Sequence, residues 1–145
     1  IYIGADHGGF EQKAQLIEYL DSKGYEVVDK GAYVLDPEDD YPEFAFAVAE
    51  AVAEDSGAFG ILSCRSSIGV CVAANKVKGI FASSVRSPKE AIEDRQHHDS
   101  NIVCLSGDHM TFEEMQATID AWLETPFDGG RHARRRDQIM DYEKK

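Results

Sequence analysis

A single cysteine stands where a predicted strand gives way to a predicted helix. The apolar run at residues 60–63 predicts the strand, Cys64 follows it directly, and residues 65–69 predict a turn into the helix. A thiol there lies near unpaired N–H groups and the positive end of the helix dipole, which lower the thiol pKa. Cys64 is thus a candidate base, although position alone favours a buried structural cysteine. The same N–H groups could hold an oxyanion or a phosphate.

Two pairs of polar residues supply imidazole groups near predicted strand ends. Asp6 and His7 follow the strand predicted over residues 1–5, which puts a hydrogen-bond acceptor beside a titratable donor. His97 and His98 lie at a helix-to-strand junction. An imidazole titrates near neutral pH, as general acid or base catalysis requires. Each pair has a plainer alternative as an ordinary polar turn.

Four of the seven arginines fall within six residues near the end of a strongly acidic chain. Arg131 and Arg135 are one turn apart in the helix predicted after Gly129 and Gly130. They would share a face of that helix and could clamp a phosphate through charge-assisted hydrogen bonds. Two alternatives stay open: a solvated basic end that pairs with nearby acids, and a docking surface for an acidic partner.

Alternating strands and helices are predicted to position these groups. Strands are predicted over residues 1–5, 25–29, 60–63, 79–84 and 101–105, and helices over 10 to about 24, 42–56, 70–75, 88–97, 112–123 and 129–143. This alternation predicts one α/β domain over residues 1–145, a three-layer sandwich with helices on both faces of a five-stranded parallel sheet and a C-terminal helix. Such sheets bind ligands beyond the carboxyl ends of their strands. Four segments are expected at that edge: those at Asp6, Cys64, His97 and Asp108.

The first helix is predicted from the spacing of its apolar residues. They recur at steps of four, three and three, with Glu, Gln and Lys residues between them: Phe10, Ala14, Ile17 and Leu20. Gly24 is placed to end the helix. These four side chains are therefore predicted to pack on the sheet.

Composition restricts the partners and the cofactors. The 145 residues suffice for one domain with a substantial core, and the net charge of −12 would repel nucleic acid and an anionic membrane surface. The apolar runs fall far short of the roughly 20 residues that span a bilayer. Three widely spaced cysteines do not form a disulfide framework, which favours a cytoplasmic location. No Cys-x-x-Cys or His-Glu-x-x-His spacing appears, so neither a metal nor another cofactor is predicted.

Five segments carry motifs that occur together in one enzyme family: Gly4 to Phe10, Asp40 to Pro42, Cys64 to Gly69 with Ala73 to Lys76, Arg95 to His97, and Gly129 to His132. In this order, over essentially the whole chain, they resemble the type B ribose-5-phosphate isomerases. That family also contains galactose-6-phosphate isomerase subunits and allose-6-phosphate isomerases. The resemblance implies a Rossmann-like fold, no metal, and a homodimer or dimer of dimers with active sites at subunit interfaces. The helical segment at about residues 129–143 is then expected to pack on a partner subunit.

The resemblance also implies a role for each site residue. A base moves a proton between C2 and C1 of the sugar through an enediolate, whose charge backbone N–H groups stabilise. Carried over to this sequence, the resemblance makes Cys64 the base, with the hydroxyl of Ser66 beside it, and His97 the residue that opens the sugar ring. Asp6 would bind sugar hydroxyls and help that step. The anion hole would consist of Arg65, Ser66, Ser67, Ile68 and Gly69, and the phosphate would be bound by His7, Arg131 and Arg135.

Three places depart from the family pattern. The turn has Arg65, Ser66 and Ser67 where the family usually has glycine, threonine or serine, and glycine, so a position that needs positive φ would be strained. His98 replaces the asparagine that usually follows the ring-opening histidine, and Asp108 replaces a substrate-binding arginine. Arg65 is predicted either to restore the positive charge lost at position 108 or to pair with Asp108 directly.

The leading hypothesis is isomerisation of an aldose phosphate to its ketose, with ribose 5-phosphate and ribulose 5-phosphate as the default pair. One alternative is a diverged isomerase of a six-carbon sugar phosphate such as allose or galactose 6-phosphate, because the departures leave Cys64 and His97 in place. Another is a non-catalytic sugar-phosphate-binding protein, which Asp108 and His98 favour. A redox-sensing thiol protein is a further alternative.

Overall fold

The computed structural model covers residues 1–145 and contains one parallel sheet with helices on both faces. The strands are β1 (Tyr2–Ala5), β2 (Val28–Asp29), β3 (Gly60–Cys64), β4 (Ala82–Ser84) and β5 (Ile102–Ser106). The helices are α1 (Phe10–Ser22), α2 (Tyr41–Glu54), α3 (Ile68–Ala74), α4 (Pro88–His98), α5 (Phe112–Glu124) and α6 (Arg131–Glu143). All paired strands run parallel in the order β2-β1-β3-β5-β4, which confirms the predicted α/β class and five-stranded sheet.

Each face of the sheet has its own apolar core. On one face, α2 and α3 pack against strand residues that include Leu62 and Cys104. On the other face, α1, α4 and α5 cover strand residues that include Ile61 and Val103, and Trp122 of α5 is fully buried there. Successive strand residues point to opposite faces, so the central strands are buried on both sides and read as continuous apolar runs.

The strand order puts a topological switch point between β1 and β3, where a ligand crevice is expected. The chain adds β2 on one side of β1 and then continues with β3 on the other side, so the connection changes direction there. In open α/β sheets a ligand crevice forms beyond the carboxyl ends of the strands at such a switch point. Ala5 pairs with Ser63 in the register, so the residues after β1 and β3 meet at this edge.

The buried face of α1 differs from the predicted one. Leu16 and Leu20 are fully buried, whereas Ala14 is exposed and Phe10 and Ile17 are half-buried. Leu16 and Leu20 are four residues apart and therefore share a face. A leucine side chain removes more apolar area from water than alanine does, so the leucines determine which face packs on the sheet.

Lys13 lies on the same face of α1 and is 3% exposed. Its Nζ donates hydrogen bonds to Asp29 Oδ1 at 2.8 Å and to the Ala32 carbonyl at 2.5 Å. The rings of Phe10 and Tyr33 lie 5.5 and 5.7 Å from the ammonium group. Burial of this charge is therefore offset by direct pairing, and the pairing ties α1 to the segment that follows β2.

The C-terminal helix α6 lies against the sandwich without burying any residue. Its contacts are with α4, and Arg136 stacks over the ring of Phe81 at 4.3 Å. Ile139 and Tyr142 are 55% and 71% exposed. An amphipathic helix normally buries its apolar stripe, so this helix has an uncovered face. None of the helices combines the length and apolar character needed to cross a membrane.

Candidate active site

The loops after β1, β3 and β5 pack against one another at the carboxyl edge of the sheet. Gly107 N–H donates to the Cys64 carbonyl at 2.8 Å, and Asp108 N–H donates to the Arg65 carbonyl at 3.0 Å. A Cβ at Gly107 would overlap the Gly8 carbonyl oxygen, and a Cβ at Gly8 would lie 2.9 Å from the Arg65 backbone nitrogen. The close approach of these loops therefore requires glycine at both positions.

The predicted base, Cys64, is the last residue of β3 and is 5% exposed. Its side chain belongs to the core beneath α3, together with Val70 and Cys104. In the turn that follows, Ser66 Oγ accepts a hydrogen bond from Ile68 N–H at 3.2 Å. Packing thus fixes the thiol directly before the turn that is predicted to form the anion hole.

Only one of the two glycine replacements in this turn has a positive φ. Ser67 has φ 68° and ψ −17°, is fully buried, and places its Oγ 2.5 Å from Ser84 Oγ. Arg65 is not among the residues with positive φ. A non-glycine residue in the left-handed region costs about 1 to 2 kcal/mol, so the strain expected from the sequence occurs at Ser67.

Asp6 and His7 lie at the end of β1, as predicted, and a third residue joins them. Asp6 is 6% exposed, and its Oδ1 accepts a hydrogen bond from Gly8 N–H at 2.8 Å. Burial raises the pKa of Asp6, and the Gly8 hydrogen bond opposes that rise. His7 Nδ1 is 2.6 Å from Asp39 Oδ1, and this hydrogen bond raises the pKa of His7 above 6.5. The sequence did not single out Asp39, because its loop contains four acidic residues and nothing in the pattern distinguishes Asp39 among them.

A second group of predicted residues lines a cavity of about 260 Å³ beside α6. The lining consists of Phe81, His97, His98, His132, Arg135, Arg136 and Ile139. The His97 and His132 rings stack with their centroids 4.5 Å apart. Desolvation, and then the neighbours His97, Arg131 and Arg135, lower the pKa of His132. His132 had no predicted role, although it stands in the glycine-arginine motif that begins α6.

The two groups lie at opposite edges of the sheet. His98 ends α4 only four residues before Ile102, which begins β5, whereas Cys64 pairs with Ser106 at the far end of β5. Four steps along a strand span about 13 Å. The expectation that the His97 segment lies at the carboxyl edge is therefore wrong, because α4 returns the chain to the amino edge. The strand register places Cys64 at the same carboxyl edge as Asp6 and His7, whereas His97 lies at the amino edge.

Arg65 and Asp108 are joined through their backbones and not through their side chains. No ion pair within 4.0 Å links the Arg65 guanidinium to the Asp108 carboxylate, and both residues are exposed. The alternative of direct pairing is therefore wrong for this structure. The Cγ of Arg65 instead packs over Gly8.

Two clusters contain residue types that can ligate a metal, and neither has a suitable arrangement. In the first, which consists of His97, Asp128 and His132, the imidazole planes are only 13° from parallel. Stacked rings direct their lone pairs along separate planes, so they do not converge on one ion. In the second, His7 Nδ1 and Asp39 Oδ1 are hydrogen-bonded to each other, so these two atoms are not both free to ligate one ion together with Asp6.

These features define a class of protein. A Rossmann-like α/β sandwich has a thiol, a carboxyl group and a paired imidazole around its switch-point crevice, and a histidine- and arginine-lined cavity beside its last helix. The thiol, carboxyl and imidazole groups suit proton transfer, and the arginines and imidazoles suit a small anion.

Comparisons with known proteins identify the family within that class. The Ribose/Galactose Isomerase model matches residues 1–139. The probable ribose-5-phosphate isomerase B of Mycoplasma pneumoniae is 43% identical over 99% of this chain and 95% of its own length, and ribose-5-phosphate isomerase B of Escherichia coli is 37% identical over 100% and 97%. The crystal structure of ribose-5-phosphate isomerase B from Mycoplasma genitalium with bound ribulose-5-phosphate matches with a TM-score of 0.97 and 46% identity, over 99% of this chain and 95% of that one. The chain therefore belongs to the ribose/galactose isomerase family, as its motifs indicated.

Proposed function

We propose that this chain interconverts ribose 5-phosphate and ribulose 5-phosphate without a metal, through an enediolate. The observation that carries the proposal is the position of Cys64 at the switch-point crevice, beside Asp6, in a fold that matches a ribulose-5-phosphate-bound isomerase at a TM-score of 0.97. The named activity of relatives at 37%, 43% and 46% identity over nearly the full chain supports the same substrate.

The proposed reaction moves one proton from carbon to carbon. The Cys64 thiolate removes the C2 proton of the open-chain sugar, the electron pair forms the enediolate, and the thiol returns a proton to C1. The C1 oxygen gains a proton as the C2 hydroxyl loses one. The oxyanion is stabilised by the backbone N–H groups of the 65–69 turn that are not already engaged, as Ile68 N–H is with Ser66 Oγ. Ser66 Oγ accepts from Ile68 N–H, so its own O–H is free to donate toward the same charge.

Ring opening needs a group that exchanges a proton with the ring oxygen and the anomeric hydroxyl. We assign this step to His97, with Asp6 holding the sugar hydroxyls. Burial raises the pKa of Asp6, so this carboxyl is a better proton acceptor than an exposed aspartate. His98 beside His97 replaces the usual asparagine and supplies the neighbouring polar contact.

We propose a homodimer, or a dimer of dimers, in which each site combines residues of two subunits. Within one chain, His97 lies at the amino edge of the sheet and Cys64 at the carboxyl edge, and the length of β5, about 13 Å, separates the two edges, so a second copy has to supply His97. The uncovered face of α6, with Ile139 and Tyr142, is the surface we assign to that contact. The segment at about residues 129–143 would then pack on the partner subunit.

The substrate phosphate is assigned to His7 together with Arg131 and Arg135. His7 stands at the crevice, whereas the two arginines accompany His97 at the start of α6. The same dimer that brings a second His97 to the crevice would therefore bring these arginines to His7. Arginine binds phosphate through two parallel N–H donors, which gives the clamp both charge and orientation.

The test is to follow ribose 5-phosphate, allose 6-phosphate and galactose 6-phosphate by NMR in the presence of excess chelator. The native chain should convert ribose 5-phosphate, and Cys64→Ala should lose on the order of 10² to 10⁴ in kcat, as expected for removal of a catalytic base. Cys71→Ala is the matched control, since Cys71 is a half-buried thiol on α3 outside the proposed machinery. A folded native chain that binds phosphate and converts none of the sugars would instead be a binding protein.

One observation keeps a six-carbon substrate as the second candidate. Asp108 replaces the arginine that the family uses on the substrate, and its carboxylate is exposed at the edge where the loops after β1 and β3 meet. A changed charge there alters the contacts with the substrate and leaves the thiol chemistry intact. Faster conversion of allose or galactose 6-phosphate than of ribose 5-phosphate would select this candidate.

We place the enzyme in the cytoplasm. All three cysteines, Cys64, Cys71 and Cys104, are free. Free thiols persist in compartments that are kept reducing, and a catalytic thiolate requires one. Fractionation of the source cells would test this location.

A further inference from the structure

The carboxylate of Asp39 is buried against His7. Its side chain is 6% exposed, and Oδ1 accepts a hydrogen bond from His7 N–H at 3.2 Å while it lies 2.6 Å from His7 Nδ1. The second oxygen, Oδ2, is buried and has no hydrogen-bond partner. One carboxylate therefore contacts both the backbone N–H and the imidazole ring of His7.

A buried carboxylate with an unpaired oxygen is costly unless a positive charge lies against it. The imidazole of His7 is the group in direct contact, and it supplies that positive charge when it is protonated. Asp6 also favours the charged ring, whereas Arg65 on the β3–α3 turn opposes it. The hydrogen bond to Asp39 is the largest of these influences. With Nδ1 engaged, Nε2 is the ring nitrogen left to donate to a ligand.

We propose that Asp39 is a positioning residue that keeps His7 protonated and oriented, so that Nε2–H binds the phosphate of the substrate. This inference rests on the proposed function, which assigns the phosphate to His7. Asp39 does not touch the substrate, because its carboxylate is covered and both of its contacts are made to His7.

The His7–Asp39 contact matters because the phosphate has to be a dianion at the same pH at which His7 is protonated. A phosphate monoester becomes a dianion above about pH 6, whereas an ordinary histidine loses its charge above about pH 6.5. An unassisted His7 would therefore be cationic beside a dianion only in a narrow range of pH. A carboxylate that raises the histidine pKa widens that range toward higher pH, where the substrate is fully charged.

The experiment compares the native chain with Asp39→Asn and with Glu38→Gln, a matched charge removal one residue away on the exposed side of the loop. The titration of His7 is followed by NMR of ring-labelled protein, and the affinity for inorganic phosphate and the KM for ribose 5-phosphate are measured from about pH 6 to pH 9. Asparagine keeps the acceptor oxygen and removes the charge, so Asp39→Asn should preserve the ring position.

We expect His7 of the native chain to titrate above 6.5 and that of Asp39→Asn to titrate lower. At the alkaline end, Asp39→Asn should weaken phosphate binding on the order of tenfold, as expected for loss of one charge-assisted hydrogen bond, with little loss at about pH 6. Glu38→Gln should follow the native curve. The substitution Asp39→Asn should change kcat less than it changes KM.

Two results would overturn the proposal: a native His7 that titrates at or below 6.5, or an Asp39→Asn variant whose affinity falls equally at every pH, as a purely structural role requires. Asp39→Ala, which also removes the acceptor, provides a second variant if Asp39→Asn does not fold. If the native chain converts no sugar, the proposed function fails. The His7 titration and the pH dependence of inorganic phosphate binding still decide the role of Asp39 in that case.

Discussion

Subunit mixing tests whether Cys64 and His97 act in one site contributed by two chains. Cys64→Ala and His97→Ala are each expected to abolish most turnover, because each removes a proton-transferring group from every site. Within one chain these residues lie at opposite edges of the sheet, and the strand β5 that runs between the two edges is about 13 Å long. A dimer of the two variants would, however, unite the intact Cys64 of one chain with the intact His97 of the other.

The magnitude follows from two-fold symmetry. Random pairing of equal amounts gives about half mixed dimers, and each mixed dimer has one site with both groups and one site with neither. About one quarter of all sites would then be complete, so the mixture should recover about one quarter of the native activity. A site built within a single chain would gain nothing from mixing, because every chain lacks one of the two groups.

The assay refolds the two differently tagged variants together, isolates the mixed dimer through both tags and measures ribulose 5-phosphate formation. The purified mixed dimer should have about half of the native activity per dimer, since one of its two sites is complete. The variants refolded separately and then combined without exchange provide the control. Tandem-purified mixed dimers that remain as inactive as the parent variants would refute a shared site and leave His97 without the proposed role.

Three other substitutions test the surroundings of the thiol. Ser67→Gly should be more stable than Ser67→Ala by about 1 kcal/mol, because both lose the hydroxyl and only glycine relieves the positive φ; equal melting temperatures would contradict this. Arg65→Gly should raise the KM for ribose 5-phosphate on the order of tenfold, and an unchanged KM would count against charge compensation for Asp108. Lys13→Met should lower the free energy of unfolding by about 1 to 3 kcal/mol in urea titration, because the Ala32 carbonyl loses its donor; no change would refute the pairing.

The sheet could be predicted because its central strands are buried on both faces and therefore read as apolar runs. The two edge strands are the exceptions. Only Val28 and Asp29 of the strand predicted over residues 25–29 pair with β1, and only Ala82–Ser84 of the strand predicted over residues 79–84 form β4. Tyr25 and Glu26 are exposed, and a partly solvated edge strand lacks the continuous apolar signal that marks its neighbours. The same reasoning missed Lys13 on the buried face of α1, because a lysine is expected in solvent unless a specific partner holds it.

The positions of site residues could be predicted where the ends of strands determine them, and less well where tertiary contacts determine them. Asp6 directly follows β1 and Cys64 is the last residue of β3, so the rule for parallel sheets places them at the crevice. The position of His97 could also have been deduced, because a helix between parallel strands runs back to the amino edge. Asp39 carries no such signal. Its loop joins β2 to α2, and only the folded chain reveals which of its carboxylates reaches His7.

The departures from the family pattern at positions 65 and 108 make the His7–Asp39 pair more important for binding an anionic substrate. The Arg65 carbonyl accepts hydrogen bonds from Asp108 N–H at 3.0 Å and from Ser106 Oγ at 2.5 Å, so backbone contacts and a serine hold the two loops whatever side chains these positions carry. Against the family pattern, Arg65 adds one positive charge, whereas Asp108 exchanges a positive charge for a negative one. The net charge around the crevice is therefore one unit more negative, in a chain whose net charge is already −12. Recruiting a dianionic substrate under those conditions depends on His7 staying protonated, which is the state that the buried Asp39 carboxylate favours.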